Sequence, residues 1–242
     1  LSCRIIMNDL VLIIGGTSGI GLETANYLLN RDYEVIICGR RAIKSEGLNS
    51  IKVNVKSEKS VKDLYHKIQH DFGDIHGLVF SAGITTPKKS IEDFDEKIWH
   101  NIFDTNVTGL LRVLKYFFPS LRNTKGRVAI VNSIAAKIYS QFSGVEYTIS
   151  KAALTGLVRQ LAFEWSNDGV FINSVFPSMT LTPMLKKTLD KDEINKLNKQ
   201  LPLKKLATPF DTARAIEFLI SRENKYMTGS GIDVSGGQFL SG

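Results

Sequence analysis

Leu10-Val11-Leu12-Ile13-Ile14 is an unbroken aliphatic run that passes directly into Gly15-Gly16-Thr17-Ser18-Gly19-Ile20-Gly21. The next residues, Leu22 to Leu29, have the pattern of an amphipathic helix. A strand that is apolar at every position needs both faces covered, as in a parallel sheet lying between helices. The glycines permit a tight turn and a close approach of backbone to a pyrophosphate, whose charge the N-terminus of the helix stabilises. Strand, glycine turn and helix therefore predict a nucleotide site. An ordinary strand-to-helix turn is the alternative.

The chain continues in the same alternation. Glu34 to Cys38 reads as a second strand ending in Gly39-Arg40-Arg41, about 20 residues beyond the glycine turn, where a dinucleotide fold meets the adenosine ribose. An acid there would bond a free 2′-hydroxyl, whereas arginines suit a 2′-phosphate. With Arg40 and Arg41 in place, NADP(H) is preferred over NAD(H), the alternative being two merely solvated arginines. Further strands are expected at Ile51 to Val55, His76 to Phe80, Arg127 to Val131, Val170 to Phe176 and Gly231 to Val234. Helices are expected at Glu58 to Phe72, Asp95 to Phe118, Val145 to Trp165 and Asp211 to Ile220. The result is an α/β fold, a Rossmann-type doubly wound parallel sheet with helices on both faces, forming a single domain over 7–242. Residues 1–6, ahead of Met7, read as an N-terminal extension. The lysine-rich helical stretch Met184 to Leu206, set between strand end and helix, is a candidate substrate lid or a plain surface helical pair.

Within the helix from Val145, Tyr147 and Lys151 are four residues apart and share a face. A nearby ammonium would favour the ionised phenol, so that a group of ordinary pKa about 10 could act as an acid or base nearer neutrality. By itself the spacing is common, and a solvated face is the ordinary reading. Asn106, inside a long helical stretch, is locally unfavourable and calls for a reason. Asn132 and Ser133 stand at the carboxyl end of a strand, where open α/β sheets bind ligands.

Composition narrows the function classes. The net charge is +7, but the lysines are dispersed without interleaved aromatics, which argues against nucleic acid. The two cysteines, Cys3 and Cys38, are too few for a disulfide framework or a four-ligand metal site, and both are expected to be free thiols. The longest aliphatic run is far short of the roughly 20 residues needed to span a bilayer, and no leader pattern is apparent. No metal and no membrane partner are expected, and the expected location is cytoplasmic.

These motifs, in this order and at these separations, resemble the classical short-chain dehydrogenase/reductase family from Met7 to the C-terminus. Ile14 to Gly21 resembles its Thr-Gly-x-x-x-Gly-x-Gly loop, and Phe80-Ser81-Ala82-Gly83 its Asn-Asn-Ala-Gly strand end. Pro177-Ser178 resembles its Pro-Gly turn, and Val234-Ser235-Gly236-Gly237 its closing Val-Asp-Gly-Gly. The resemblance implies a catalytic tetrad of Asn106, Ser133, Tyr147 and Lys151. It also implies cofactor contacts from Gly15, Thr17, Ser18, Gly19, Ile20 and Gly21 in the loop. Arg40, Arg41, Asn54, Val55, Ser81, Ala82 and Gly83 would follow at later strand ends. Tyr147, Lys151, Pro177, Thr180 and Thr182 would meet the nicotinamide half. Several positions depart from the family: Ile14 for Thr, Phe80 and Ser81 for two asparagines, Asn54 for Asp, Ser178 for Gly, and one extra residue between Ser133 and Tyr147.

The implied activity is NADP(H)-dependent hydride transfer between the nicotinamide and a carbonyl or secondary alcohol. Ser133 would polarise the carbonyl and Tyr147 would pass the proton; Lys151, with the positive nicotinamide in the oxidised complex, would lower the Tyr147 pKa and would hold the ribose, and Asn106 would anchor a water linking Lys151 to solvent as a proton relay. A 3-oxoacyl thioester and a polar sugar-type metabolite are both open as substrates. A homotetramer or homodimer is implied. The contrasting reading is a catalytically weak cofactor-binding scaffold or redox sensor.

Overall fold

The computed structural model describes residues 9–240. The extension expected at 1–6, with Cys3 inside it, lies outside the described residues, as do both ends of the expected domain, residues 7, 8, 241 and 242. Seven parallel strands form one sheet among the described residues: β1 Leu10–Ile14, β2 Glu34–Gly39, β3 Asn49–Lys52, β4 Gly77–Phe80, β5 Arg127–Val131, β6 Phe171–Pro177 and β7 Gly231–Val234. Their order is β3-β2-β1-β4-β5-β6-β7. The direction of winding reverses between β1 and β4, and the crevice outside the carboxyl ends of those two strands is where such sheets take ligands.

The helices are α1 Gly19–Leu29, α2 Glu58–Asp71, α3 Glu96–Phe103, α4 Gly109–Thr124, α5 Val145–Trp165, α6 Pro183–Thr188, α7 Lys191–Gln200 and α8 Pro209–Ile220. Two cores explain why β1 is apolar at every position. Leu12 and Ile14 join Val61, Leu64, Phe117, Leu154 and Val158 from α2, α4 and α5 on one face. Val11 and Ile13 join Ala25, Leu28, Ile216 and Leu219 from α1 and α8 on the other. Each such side chain, fully removed from water, contributes roughly 2 kcal/mol of transfer free energy. A polar residue anywhere in β1 would therefore lose burial on one face or the other.

Two elements differ from the sequence expectation. The third strand is Asn49–Lys52 rather than Ile51 to Val55. Val53 still donates its N–H to Gly39 O at 2.8 Å, but Asn54 then turns the chain, accepting from Ser57 N–H and donating its own N–H to Ser60 Oγ. The helical stretch expected to stop at Phe118 is split instead at a one-turn π segment, Asp104–Thr108, and runs through Pro119 to Thr124. Pro119 costs one helical bond. The last turn is held nonetheless, because Ser120 Oγ accepts from Ile75 N–H at 2.8 Å and Thr124 Oγ1 donates to Ile75 O at 2.9 Å. The lysine-rich stretch forms two short helices, α6 and α7, anchored by the buried Leu189, Leu197, Leu201 and Leu206.

Candidate active site

Close packing of β1 against β4 builds the glycine turn. Gly15 has φ +86°, and a methyl group there would lie 2.5 Å from the Ala82 nitrogen, so only glycine fits where the turn crosses the end of β4. Gly15 and Gly16 both donate N–H to Cys38 O, which ties the turn to β2 and to the Arg40-Arg41 corner. The helix that follows keeps its donors unspent: its N-cap, Ser18, makes no side-chain bond to the first turn, and no acidic residue stands there. In α2, α3, α6 and α7 the N-cap side chain accepts such a bond. Free N–H groups and the positive end of the helix dipole make a site for phosphate.

At the far end of the turn, Gly19 has φ +56° and faces Thr182, whose side chain would lie 3.5 Å from a methyl group on Gly19. A side chain on residue 19 would therefore touch Thr182 across the gap between the first loop and the turn after β6. Thr182 Oγ1 accepts from Leu185 N–H and starts α6, and the buried Thr180 donates to Ser178 O. Arg40 and Arg41 are exposed, and among the described residues neither forms an ion pair. Asn54 is exposed at the neighbouring strand end, and Val55 is buried beside it. Ser81 donates its N–H to Ile14 O at 2.8 Å, and Gly83 lies beside Asn106 and the Lys151 ammonium. The loop residues, the arginine corner and Thr182 thus line one crevice edge and offer unspent donors and charges, so they fit a dinucleotide with a 2′-phosphate.

The four expected catalytic residues converge on one place. Ser133 leaves the end of β5 and its hydroxyl bonds the Tyr147 phenol. Lys151, one turn further along α5, is 5% exposed and donates from Nζ to Val131 O at 2.8 Å. Burial lowers its pKa to about 8. Tyr147 differs from expectation: its pKa is raised, with burial the larger cause and the Ser133 hydrogen bond pulling the other way. The Lys151 ammonium donates one N–H to the Val131 carbonyl and lies 5.7 Å from the Tyr147 ring centroid. Tyr147 is therefore held protonated.

Asn106 sits buried in the π segment. Its amide donates to Ile84 O and to Ser150 Oγ, both at 3.0 Å, and its Oδ1 accepts from Ile84 N–H at 2.8 Å. Both amide N–H bonds are thus used within the protein. A single π turn places this one residue where an unbroken α-helix would not, a device found at functional sites. Ser150, which sequence reasoning passed over, completes the network by donating to Tyr147 O at 2.8 Å. Its only sequence signal was a small polar residue on the face shared by Tyr147 and Lys151. The Val131 carbonyl, being backbone, had none. Among the described residues no cluster of His, Cys, Asp or Glu could hold a metal, and no helix is long and apolar enough to cross a membrane.

Comparison with known proteins agrees with this geometry. The family model described as "Enoyl-(Acyl carrier protein) reductase" matches residues 15–238. A 3-oxoacyl-[acyl-carrier-protein] reductase, FabG, of Staphylococcus epidermidis is 29% identical over 97% of this chain and 100% of its own length. Among solved structures, the ligand-free aldohexose dehydrogenase of Thermoplasma acidophilum superposes with a TM-score of 0.89 at 26% identity, covering 95% of this chain and 93% of that one. ElxO with NADP bound gives 0.88 at 28% identity, covering 96% and 98%. With its parallel sheet, glycine turn and converged Asn-Ser-Tyr-Lys group, and with a family match over nearly its whole length, the chain belongs to the short-chain dehydrogenase/reductase family of oxidoreductases.

Proposed function

We propose that this protein is an NADPH-dependent carbonyl reductase in which Tyr147 is the general acid. The observation that carries the reading is the Ser133–Tyr147–Lys151 geometry: a phenol bonded to a serine hydroxyl, with a buried lysine beside it. The Gly15–Gly21 turn and the N-terminus of α1 would hold the pyrophosphate, Arg40 and Arg41 the 2′-phosphate, Asn54 and Val55 the adenine end, and Thr180 and Thr182 the nicotinamide side. ElxO, of the same fold, binds NADP, which supports this choice over NAD(H). When bound, the cofactor supplies the hydride.

The rest falls to the chain's own groups. Ser133 donates a hydrogen bond to the carbonyl oxygen of the substrate and withdraws charge from its carbon. Tyr147 delivers its proton to that oxygen as negative charge develops there. Lys151, cationic below its pKa of about 8, compensates the phenolate that remains and keeps two N–H donors for a ribose. Asn106 holds the exit of β4 against α5 through Ile84 and Ser150, which fixes the distance between the cofactor wall and the acid.

A 3-oxoacyl thioester is the substrate best supported. FabG acts on one by its name, and exposed apolar side chains, Tyr139, Leu181 and Leu203, stand on the segments that follow β5 and β6 around the crevice. The aldohexose dehydrogenase neighbour favours a polar sugar as the second candidate. The α6–α7 pair would cover the substrate. Exposed Leu111, Ile149 and Phe163 on α4 and α5 support a homotetramer or homodimer. The test is NADPH oxidation with acetoacetyl-CoA and a panel of aldoses and ketones, repeated with Tyr147→Phe. Turnover with the wild type and its near-complete loss in the variant, with NADPH binding retained, is the expected result. A Tyr147→Phe enzyme that keeps most activity refutes the assignment, and tight NADPH binding without turnover of any carbonyl favours the scaffold or redox-sensor reading.

A further inference from the structure

We infer that Lys137 is a positioning residue for Ser133, acting through a clamp made by Asp233, Phe176 and Phe239. The inference rests on the reading of Ser133 as the group that polarises the carbonyl. Ser133 is the N-cap of a single 3₁₀ turn, Ile134–Ala136, and its Oγ accepts from Ala135 N–H at 3.1 Å. The turn closes through Ala136 N–H to Ser133 O and Lys137 N–H to Ile134 O. Three residues of 3₁₀ helix have little stability of their own, because few bonds offset the ordering of the chain. The buried Ile134 and Ala135 hold the middle of the turn, and what holds its far end also sets the place of the Ser133 hydroxyl.

Lys137 holds it. Its Nζ lies 2.6 Å from Asp233 Oδ1, 4.2 Å from the centre of the Phe176 ring and 5.2 Å from that of Phe239. An exposed lysine–carboxylate pair does little. This one is different in surroundings: the two side chains are 25% and 18% exposed, and aromatic faces flank the ammonium. The clamp also reaches both walls of the crevice. Asp233 on β7 pairs in register with Phe176 on β6, and the next residue, Val234, accepts from Ser178 N–H at the start of the turn that carries Thr180 and Thr182. Phe239 is tied back by Ser235 Oγ donating to its carbonyl. Through Lys137 the substrate-side turn is thus indexed to the cofactor-side turn. Beyond it the chain runs out to exposed Ile138 and Tyr139, and the lengthened loop between Ser133 and Tyr147 is next anchored where Lys88 N–H donates to Phe142 O and Gly144 N–H to Thr86 O.

The test uses the full chain labelled with ring-¹³C tyrosine, the Tyr147 resonance being identified by its absence in Tyr147→Phe. At neutral pH, Ser133→Ala should shift that resonance by removing the hydrogen bond. Lys137→Met, which keeps the apolar stem between the rings, should shift it in the same direction, and Lys137→Arg should restore it. In the Ser133→Ala background Lys137→Met should have no further effect on it. NADPH oxidation should follow the same pattern. Lys137→Met should lower kcat about tenfold, as misplacing a polarising donor does, with the KM for NADPH within about twofold of wild type. Its added loss in the Ser133→Ala background should be under about twofold. Should Lys137→Met fail to fold, Asp233→Asn breaks the same clamp with a neutral side chain and should give the same signature. If Ser133→Ala itself leaves the Tyr147 resonance in place, the reading of Ser133 fails. If Ser133→Ala moves it but neither Lys137→Met nor Asp233→Asn does, or if their effects on kcat multiply with Ser133→Ala, the positioning role is overturned and Ser133 stands.

Discussion

Replacing Lys151 by methionine should destroy activity and yet make the cofactor-free protein more stable at neutral pH. Lys151 is 5% exposed, has no carboxylate beside it and has a pKa lowered from 10.5 to about 8 by burial. That depression is equivalent to roughly 3 kcal/mol by which the folded state disfavours the ammonium. Methionine fills nearly the same volume without the charge. It leaves the Val131 carbonyl without the bond it accepts at 2.8 Å, a loss of about 1–2 kcal/mol. The net expectation is a gain of about 1–2 kcal/mol, or roughly 3–6 °C in Tm for a chain of this size.

The pH dependence has a definite sign. Because the folded pKa lies below the unfolded one, the native state holds fewer protons than the unfolded chain between about pH 8 and 10.5. Wild-type stability from this group therefore rises with pH through that window, and the penalty is fully present below about pH 8. Urea titrations of both proteins at pH 7 and pH 9.5 should show the variant ahead at the lower pH and its lead shrinking at the higher. All other titrating groups cancel in the difference. A variant less stable than wild type at pH 7, or a gap that does not change with pH, would refute the claim that a buried charge is being tolerated for function.

Arg40→Ala and Arg41→Ala should each lower kcat/KM for NADPH by roughly 10- to 100-fold, the worth of a charged hydrogen bond, with little change for NADH; a wild-type preference for NADH is the contrary outcome. Gly15→Ala should abolish the thermal shift given by NADPH, since its methyl would meet the Ala82 nitrogen at 2.5 Å and the backbone is left-handed there. A soluble variant with an unchanged NADPH shift would show that the turn yields. Asn106→Ala should cost about 2–3 kcal/mol in urea denaturation, because both polar backbone groups of Ile84 and the Ser150 hydroxyl lose a partner. A loss below about 1 kcal/mol would mean that water replaces the amide.

The fold was legible where one local pattern had one physical solution. An apolar β1 needed cover on both faces, and the glycine turn that joins it to a helix pointed to a nucleotide site, with an ordinary strand-to-helix turn as the alternative. Tyr147 and Lys151 share a helix face whatever the rest of the chain does, but only the motifs around them raised the pair above a solvated face. What stayed hidden were effects of tertiary placement. Nothing local to Pro119 shows that Ser120 and Thr124 will hold the helix beyond it by bonds to Ile75. Nor does helical spacing reveal that the Lys151 ammonium is directed at Val131 O, or that burial raises the Tyr147 pKa.

The departures from the family pattern at the first and fourth strands are best understood as one change. Ile14 and Phe80 lie opposite each other in the β1–β4 register, at 1% and 0% exposure, inside the same core. A polar residue at either position alone would be buried without its partner, at a cost of about 1–3 kcal/mol, whereas replacing both by apolar groups removes that debt. The backbone bond that fixes the strand ends, Ser81 N–H to Ile14 O, does not involve either side chain and is kept. The crevice floor is thus held by packing in place of a side-chain hydrogen bond, and Gly83 follows beside Asn106 and Lys151. Restoring one polar partner, as in Phe80→Asn, should therefore destabilise the chain more than restoring both with Ile14→Thr; if the double variant is the less stable of the two, the exchange was not compensatory.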